Sequence, residues 1–151
     1  MIHYRNIHKA FDHPVLSGVD MQVDTGEMFA LFGPSGTGKS VLLKTTIALI
    51  VPDRGDVVLD GISVFHGADG DLARVRRKVG YVFQHAALFD SLTVFDNVCV
   101  GIPEEQLGRN RTCARRVWDA LELVNLDPKE VLSKIPSELS GGMQKRVGIA
   151  R

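Results

Sequence analysis

The stretch MFALFGPSGTGKS, residues 28–40, decides how the rest of the chain is interpreted. Residues 28–32 form a continuous apolar run bounded by glycines, which is typical of a parallel strand buried on both faces. Residues 33–40 match the pattern G-x-x-x-x-G-K-[ST], and apolar residues then recur at helical spacing as far as Val51. The stretch therefore predicts a strand, a glycine-rich loop and a helix of about three turns.

The glycine-rich loop has the chemistry of a diphosphate site. Its glycines let the backbone fold tightly and turn several N–H groups inward, and the start of the following helix adds about half a positive charge. Lys39 would place its ammonium between the β and γ phosphates of a bound nucleotide, and the Ser40 hydroxyl would ligate Mg²⁺. The alternative is a glycine-rich turn that binds nothing. The expected nucleotide-binding residues are Gly33, Pro34, Ser35, Gly36, Thr37, Gly38, Lys39, Ser40 and Val41.

The segments on either side of this stretch predict a sheet layer. Apolar and polar residues alternate in short runs through the first thirty residues, which is typical of a small antiparallel layer. Residues 56–59 and 62–65 flank an Asp-Gly pair, and this pair supplies the positive φ angles of a tight hairpin turn. Residues 71–78 predict a short basic helix, which leads into a strand at residues 79–83.

From Gln84 onward the periodicity becomes helical. Residues 89–100 and 111–124 predict two helices, joined by a loop around Pro103 and Gly108. Together they indicate a helical insert that follows the strand-containing core.

Composition excludes several classes of partner. Lys plus Arg equals Asp plus Glu at 18 each, so the formal charge is zero and no overall attraction to nucleic acid is expected. No apolar run approaches the roughly 20 residues that cross a bilayer. The two cysteines, Cys99 and Cys113, are too few for a disulfide framework and are expected to be reduced, cytosolic residues.

A second motif, LSGGMQ at residues 139–144, lies about a hundred residues after the loop. A serine hydroxyl and two glycine N–H groups at a helix start form an anion site suited to a γ-phosphate. The alternative is an ordinary serine N-cap with flexible glycines. Combined with the loop, the motif resembles the LSGGQ signature of ATP-binding cassette (ABC) ATPases, with Met143 where the commoner motif has Gln.

The resemblance covers essentially the whole chain and implies an α/β fold of the P-loop NTPase class. This fold has a RecA-like core with an antiparallel β layer, and an α-helical insert subdomain. The implied domains are residues 1–83 for the nucleotide-binding core, 84–138 for the helical subdomain, and 139–151 for the signature and the start of its helix.

The resemblance also implies a dimer. In ABC ATPases the loop of one subunit and the signature of the other enclose one ATP. Ser140, Gly141 and Gly142 would therefore bind the nucleotide that a second copy of the protein holds.

Two further residues match the family at single positions. Gln84 resembles the Q-loop glutamine, which would contact Mg²⁺ and the attacking water and, with Lys39, carry a catalytic role. Phe11 occupies the place of the aromatic residue that stacks on adenine. The alternatives are a solvated glutamine and a core phenylalanine. The implied cofactors are ATP and Mg²⁺.

Residues 83–98, FQHAALFDSLTVFDNV, are similar to the ATPases of Mla-type and other Mce-associated lipid transporters. This similarity implies a peripheral ATPase on the cytoplasmic face of the bacterial inner membrane that powers the movement of phospholipid or a related lipid through a permease. Two alternatives stay open: a soluble ABC ATPase that acts as a mechanical or regulatory module, and an importer ATPase for a small solute. The candidate permease contacts are Phe89, Leu92, Val94 and Phe95.

The family pattern continues past Arg151. An apolar strand ending in Asp-Glu (Walker B), a D-loop and a switch histidine are expected there. Because that Asp would orient Mg²⁺ and that Glu would activate water, residues 1–151 alone are not expected to hydrolyse ATP.

Overall fold

The computed structural model describes residues 1–102 and 112–151. They form two compact units, Met1–Gly80 and Tyr81–Arg151. The three domains expected from the sequence stay a prediction.

Part of the predicted insert lies outside the described residues, namely the loop around Pro103 and Gly108 and the helix start at Arg111. Within the described ranges, no helix has the length and apolar character that crossing a membrane requires.

The first unit is a four-stranded antiparallel sheet with two helices. The elements are β1 (Ile2–Ala10), β2 (Pro14–Val23), α1 (Lys39–Thr45), β3 (Arg54–Leu59), β4 (Ile62–Ser63) and α2 (Asp71–Lys78). The strand order is β2-β1-β3-β4. The predicted antiparallel layer is confirmed, and so is the hairpin turn, where Asp60 and Gly61 have φ angles of 48° and 80°.

The core of the first unit gathers apolar residues from the sheet and both helices. In β1, Tyr4 and Ile7 are both buried although they are three positions apart, because the strand has a register shift between them and Asn6 adopts a φ of 49°. The Tyr4 hydroxyl and the Thr46 Oγ1 atom share a hydrogen bond of 2.6 Å, and burial raises the pKa of Tyr4. The buried core comprises Tyr4, Ile7, Leu16, Leu42, Val57, Leu59, Val64 and Val75.

Helix α1 ends earlier than the predicted three turns. Ala48 has a φ of 51°, and the Leu49 N–H donates to the Lys44 carbonyl at 3.0 Å, so the backbone reverses there. Arg76 of α2 holds this reversal, since its guanidinium donates to the carbonyl oxygens of Ile47 and Ala48 at 3.0 and 3.3 Å.

The two predicted buried strands, residues 28–32 and 79–83, are wrong for this structure, which has no strand at either place. A strand needs a hydrogen-bonded neighbour, and no described segment pairs with these residues. Met28 and Phe32 are 97% and 89% exposed, whereas Leu31 is half-buried and packs against the core of the first unit.

The second unit is helical, as predicted. Its core is formed by buried residues from four helices, together with Leu126 and Leu139. The predicted helix at residues 89–100 begins only at Val94, because the Thr93 Oγ1 atom caps the helix by accepting from the Asp96 N–H at 3.2 Å. The helices are α3 (Val94–Val100), α4 (Thr112–Leu123), α5 (Pro128–Val131) and α6 (Gly141–Ala150), with a 3₁₀ turn at Pro136–Glu138.

Asn97 is a fully buried polar residue in α3. Its Oδ1 atom accepts from the Phe89 N–H at 2.8 Å, and its Nδ2 atom donates to the carbonyl oxygens of Phe89, Leu92 and Thr93 at 3.0 to 3.1 Å. This one side chain therefore holds the irregular segment that leads into α3.

The expectation that the two cysteines are reduced is wrong. Cys99 of α3 and Cys113 of α4 form a disulfide, with their Cα atoms 6.4 Å apart. Sequence spacing did not reveal this pairing, which depends on how α3 and α4 pack. The cysteines consequently no longer argue for a reducing compartment.

Candidate phosphate-binding site

The glycine-rich loop leads directly into α1, as the motif predicts. Gly38 precedes the helix with a φ of 89°, a left-handed conformation that favours glycine. A Cβ atom at this position would lie 2.9 Å from side-chain carbons of both Val15 and Leu16. Only glycine therefore lets the loop lie this close to β2. The loop residues Gly33, Pro34, Ser35, Gly36 and Thr37 are exposed.

The Lys39 ammonium lies among the oxygen atoms of its own loop. It donates to the carbonyl oxygens of Gly33 and Pro34 at 2.7 and 2.5 Å, and to the Thr37 Oγ1 atom at 3.4 Å. Thr37 Oγ1 in turn donates to the Pro34 carbonyl at 3.0 Å. The loop thus keeps a positive charge in its interior, where an anionic phosphate can take over the lysine's hydrogen bonds.

The first turn of α1 is open to an anion. It contains no acidic residue, and no side chain caps it. Ser40 is exposed, so its hydroxyl is accessible, whereas Val41 is half-buried and packs against the core of the first unit. These residues suit the phosphate-binding role that the sequence predicts, with Val41 contributing its backbone.

Phe11 lies at the turn between β1 and β2 and is 57% exposed. It is therefore not a core phenylalanine, which was the alternative to an adenine-stacking role. The Lys9 ammonium lies 5.5 Å from the centre of its ring.

Gln84 and the signature motif belong to the second unit. Gln84 is exposed and lies in a bend. Ser140 caps α6, its Oγ atom accepting from the Met143 N–H at 3.3 Å, and Gly141 and Gly142 are exposed. The cap uses an oxygen lone pair and leaves the hydroxyl proton able to donate, so capping and phosphate binding are compatible.

Gln144 has a role that the sequence did not reveal. Its Nε2 atom donates to the Pro136 carbonyl at 2.8 Å and to the Leu139 carbonyl at 3.3 Å. These bonds tie the chain before the signature to the helix after it, so they fix the direction in which Ser140 enters α6.

The four candidate permease contacts differ in accessibility. Val94 is fully buried in the second unit's core, so the prediction that it contacts a partner is wrong. Phe89 is 47% exposed, and the Arg151 guanidinium lies 4.8 Å from its ring centre. Leu92 and Phe95 are half-buried.

No group of three or more His, Cys, Asp or Glu side chains in the described parts of the chain could hold a metal ion by itself. A metal ion bound at the exposed Ser40 hydroxyl would need further oxygen ligands, which the phosphates of a nucleotide can supply.

Comparison with known proteins agrees with the motifs. The family model described as "ABC transporter" matches residues 16–151. Among curated proteins, a sulfate/thiosulfate import ATP-binding protein of Methylococcus capsulatus is 41% identical over 155 residues, covering 99% of this chain and 42% of the relative. A probable ribonucleotide transport ATP-binding protein of Mycobacterium leprae is 36% identical over 151 residues, covering 99% and 43%.

Solved structures show the same fold. A dimeric post-hydrolysis state of the ATP-binding cassette MJ0796, bound to ADP and Pi, is 30% identical with a TM-score of 0.83, covering 99% of this chain and 68% of that one. For cbiO1 of Clostridium perfringens, the identity is 25% and the TM-score 0.75. The predicted P-loop NTPase fold of the cassette type is confirmed. The chain spans about two fifths of the length of the curated relatives it matches.

Proposed function

Because this chain belongs to the ABC transporter ATP-binding family, we propose that the full-length protein couples ATP binding and hydrolysis to transport through a membrane permease. The observation that carries the proposal is the Lys39 ammonium inside a glycine-rich loop, held only by oxygen atoms that a phosphate can replace. The permease would place the protein on the cytoplasmic face of the inner membrane.

Each site residue has a role in this proposal. Lys39 binds the β and γ phosphates of ATP, and the N–H groups of residues 33–41 surround them. The side-chain oxygen atoms of Ser40 and Gln84 would coordinate Mg²⁺, which neutralises phosphate charge when it is bound. Phe11 stacks on adenine.

The signature motif completes the site in a homodimer. Ser140, Gly141 and Gly142 bind the ATP that a second copy of the protein holds, so that ATP draws the two copies together. The Ser140 hydroxyl and exposed glycine N–H groups at the start of α6 have the chemistry that this role needs.

The cargo is the finer part of the proposal. Lipid transport is supported by residues 83–98 and by no curated relative reported above. Those relatives are named for sulfate/thiosulfate import and for ribonucleotide transport, which favours the importer alternative for a small solute.

Purification from membranes tests the transport part of the proposal. Affinity-tagged full-length protein, solubilised in mild detergent, should retain a permease with several membrane-spanning helices. The identity of the permease, and of any soluble cargo-binding protein recovered with it, would distinguish lipid transport from small-solute import. Recovery of the protein without any membrane protein would instead support the soluble-module alternative.

Ser140→Arg should separate nucleotide binding from dimerisation. The added side chain blocks the signature surface, so the affinity of one subunit for ATP should stay within about twofold while the ATP-driven dimerisation constant falls at least about tenfold. Light scattering after gel filtration with a non-hydrolysable ATP analogue and Mg²⁺ measures the dimer. Ser133→Arg, at another exposed serine of the second unit, is the matched control. Undiminished dimerisation of Ser140→Arg would refute the role of the signature.

A further inference from the structure

Phe11 has two unequal faces. The Lys9 ammonium lies 5.5 Å from the ring centre, while the Phe11 side chain as a whole is 57% exposed. Lys9 itself is largely covered, its side chain being 17% exposed. A cation at this distance is attracted to the face of an aromatic ring. One face of Phe11 is thus occupied from within the protein, and the opposite face is open.

Asp53 holds this lysine in place. Its Oδ1 atom accepts from the Lys9 ammonium at 2.8 Å, and its Oδ2 atom accepts from the Ala10 N–H at 2.7 Å. The backbone N–H of Asp53 donates to the His8 carbonyl at 2.8 Å. Asp53, the residue immediately before β3, therefore holds three consecutive residues that precede Phe11.

The backbone of Phe11 is also restrained on its other side. Its N–H donates to the His13 carbonyl at 3.1 Å, which closes the turn between β1 and β2. A ring on a closed turn, with a cation against one face, has little freedom left to lose when a ligand stacks on it.

We propose that Lys9 and Asp53 are positioning residues for nucleobase stacking, which hold the Phe11 ring so that its open face receives the adenine of ATP. The inference rests on the proposed function and goes beyond it, because it assigns base recognition to an ion pair that does not touch the phosphates. The hydrogen bonds from Lys9 and from the Ala10 N–H lower the pKa of the Asp53 carboxyl.

The test compares a ligand that has a base with one that has none. Lys9→Met keeps the length of the side chain but removes the ammonium, and Asp53→Asn keeps an acceptor for the Ala10 N–H while removing the ion pair. Lys78→Met is the matched control, since it removes an exposed lysine–aspartate pair of 3.0 Å with Asp60. Calorimetry on the full-length protein measures binding of Mg²⁺-ATP and of Mg²⁺ with inorganic tripolyphosphate, and thermal melting verifies that each variant is folded.

Lys9→Met and Asp53→Asn should each weaken ATP binding by roughly fivefold, since base–aromatic stacking contributes about tenfold or more per base. The affinity of each variant for tripolyphosphate should stay within about twofold of the unsubstituted protein. Lys78→Met should change the affinity for neither ligand. In a Phe11→Ala background, Lys9→Met should have no further effect on ATP binding.

Unchanged ATP binding in both variants, or equal weakening for ATP and tripolyphosphate, would overturn the positioning role and leave the proposed function intact. If the unsubstituted protein bound neither ligand, the proposed function itself would fail, and this inference with it.

Discussion

Replacing Lys39 with alanine in the full-length protein should weaken Mg²⁺-ATP binding by at least about 30-fold. The substitution removes the ammonium that donates to the carbonyl oxygens of Gly33 and Pro34. The phosphates of ATP therefore lose a charge-assisted hydrogen-bond donor. Loss of one partner of such a pair costs about 2–5 kcal/mol, and each 1.4 kcal/mol is about tenfold in affinity. Isothermal titration calorimetry with ATP and Mg²⁺ measures the change.

Lys44→Ala is the matched control, because Lys44 belongs to the same helix but lies in its last turn. Its affinity for ATP should stay within about twofold of the unsubstituted protein. Tight ATP binding and full turnover in Lys39→Ala would show that the loop is not the phosphate site.

Asn97→Leu should lower the free energy of unfolding by about 3 kcal/mol. Leucine has the same branching as asparagine but makes none of the four hydrogen bonds that Asn97 forms with the segment before α3. It would leave the Phe89 N–H and the Leu92 carbonyl without this partner, whereas the Phe89 carbonyl keeps the hydrogen bond from the Leu92 N–H. Each buried group that is left unsatisfied costs about 1–3 kcal/mol. Urea denaturation, followed by circular dichroism, measures the change.

Ser91→Leu makes the same kind of replacement at an exposed position of the same segment. It should change the free energy of unfolding by no more than about 0.5 kcal/mol. If Asn97→Leu were equally mild, the hydrogen bonds of Asn97 would not be what holds this segment.

The parts of the fold that the sequence predicted are those with local signals. The Asp-Gly pair at residues 60–61 contains the φ angles of its own hairpin, and Ser140 carries its own capping oxygen. The apolar run at residues 28–32 does not contain the neighbour that a strand needs. The disulfide between Cys99 and Cys113 likewise depends on the packing of two helices, which no local pattern records.

The candidate site likewise has residues that a local pattern predicts and contacts that it does not. The loop motif predicts the roles of Lys39 and Ser40 because it fixes both the residue types and their spacing within one short segment. The contact of Asp53 with Lys9 spans 44 residues and has no signal in either segment. Asn97 had a weak signal, an amide among the apolar residues of α3, which a search for buried polar side chains would have found.

The hairpin formed by β1 and β2 contributes to the proposed nucleotide site at two places. Phe11 stands at its turn, and Val15 and Leu16 near the start of β2 lie against Gly38 at the end of the loop. Close-packed contacts of this kind transmit displacement instead of absorbing it. The position of Phe11 relative to Gly38 is therefore set by one hydrogen-bonded hairpin, so a shift of β2 at one end would reach both the proposed base-stacking residue and the proposed phosphate loop.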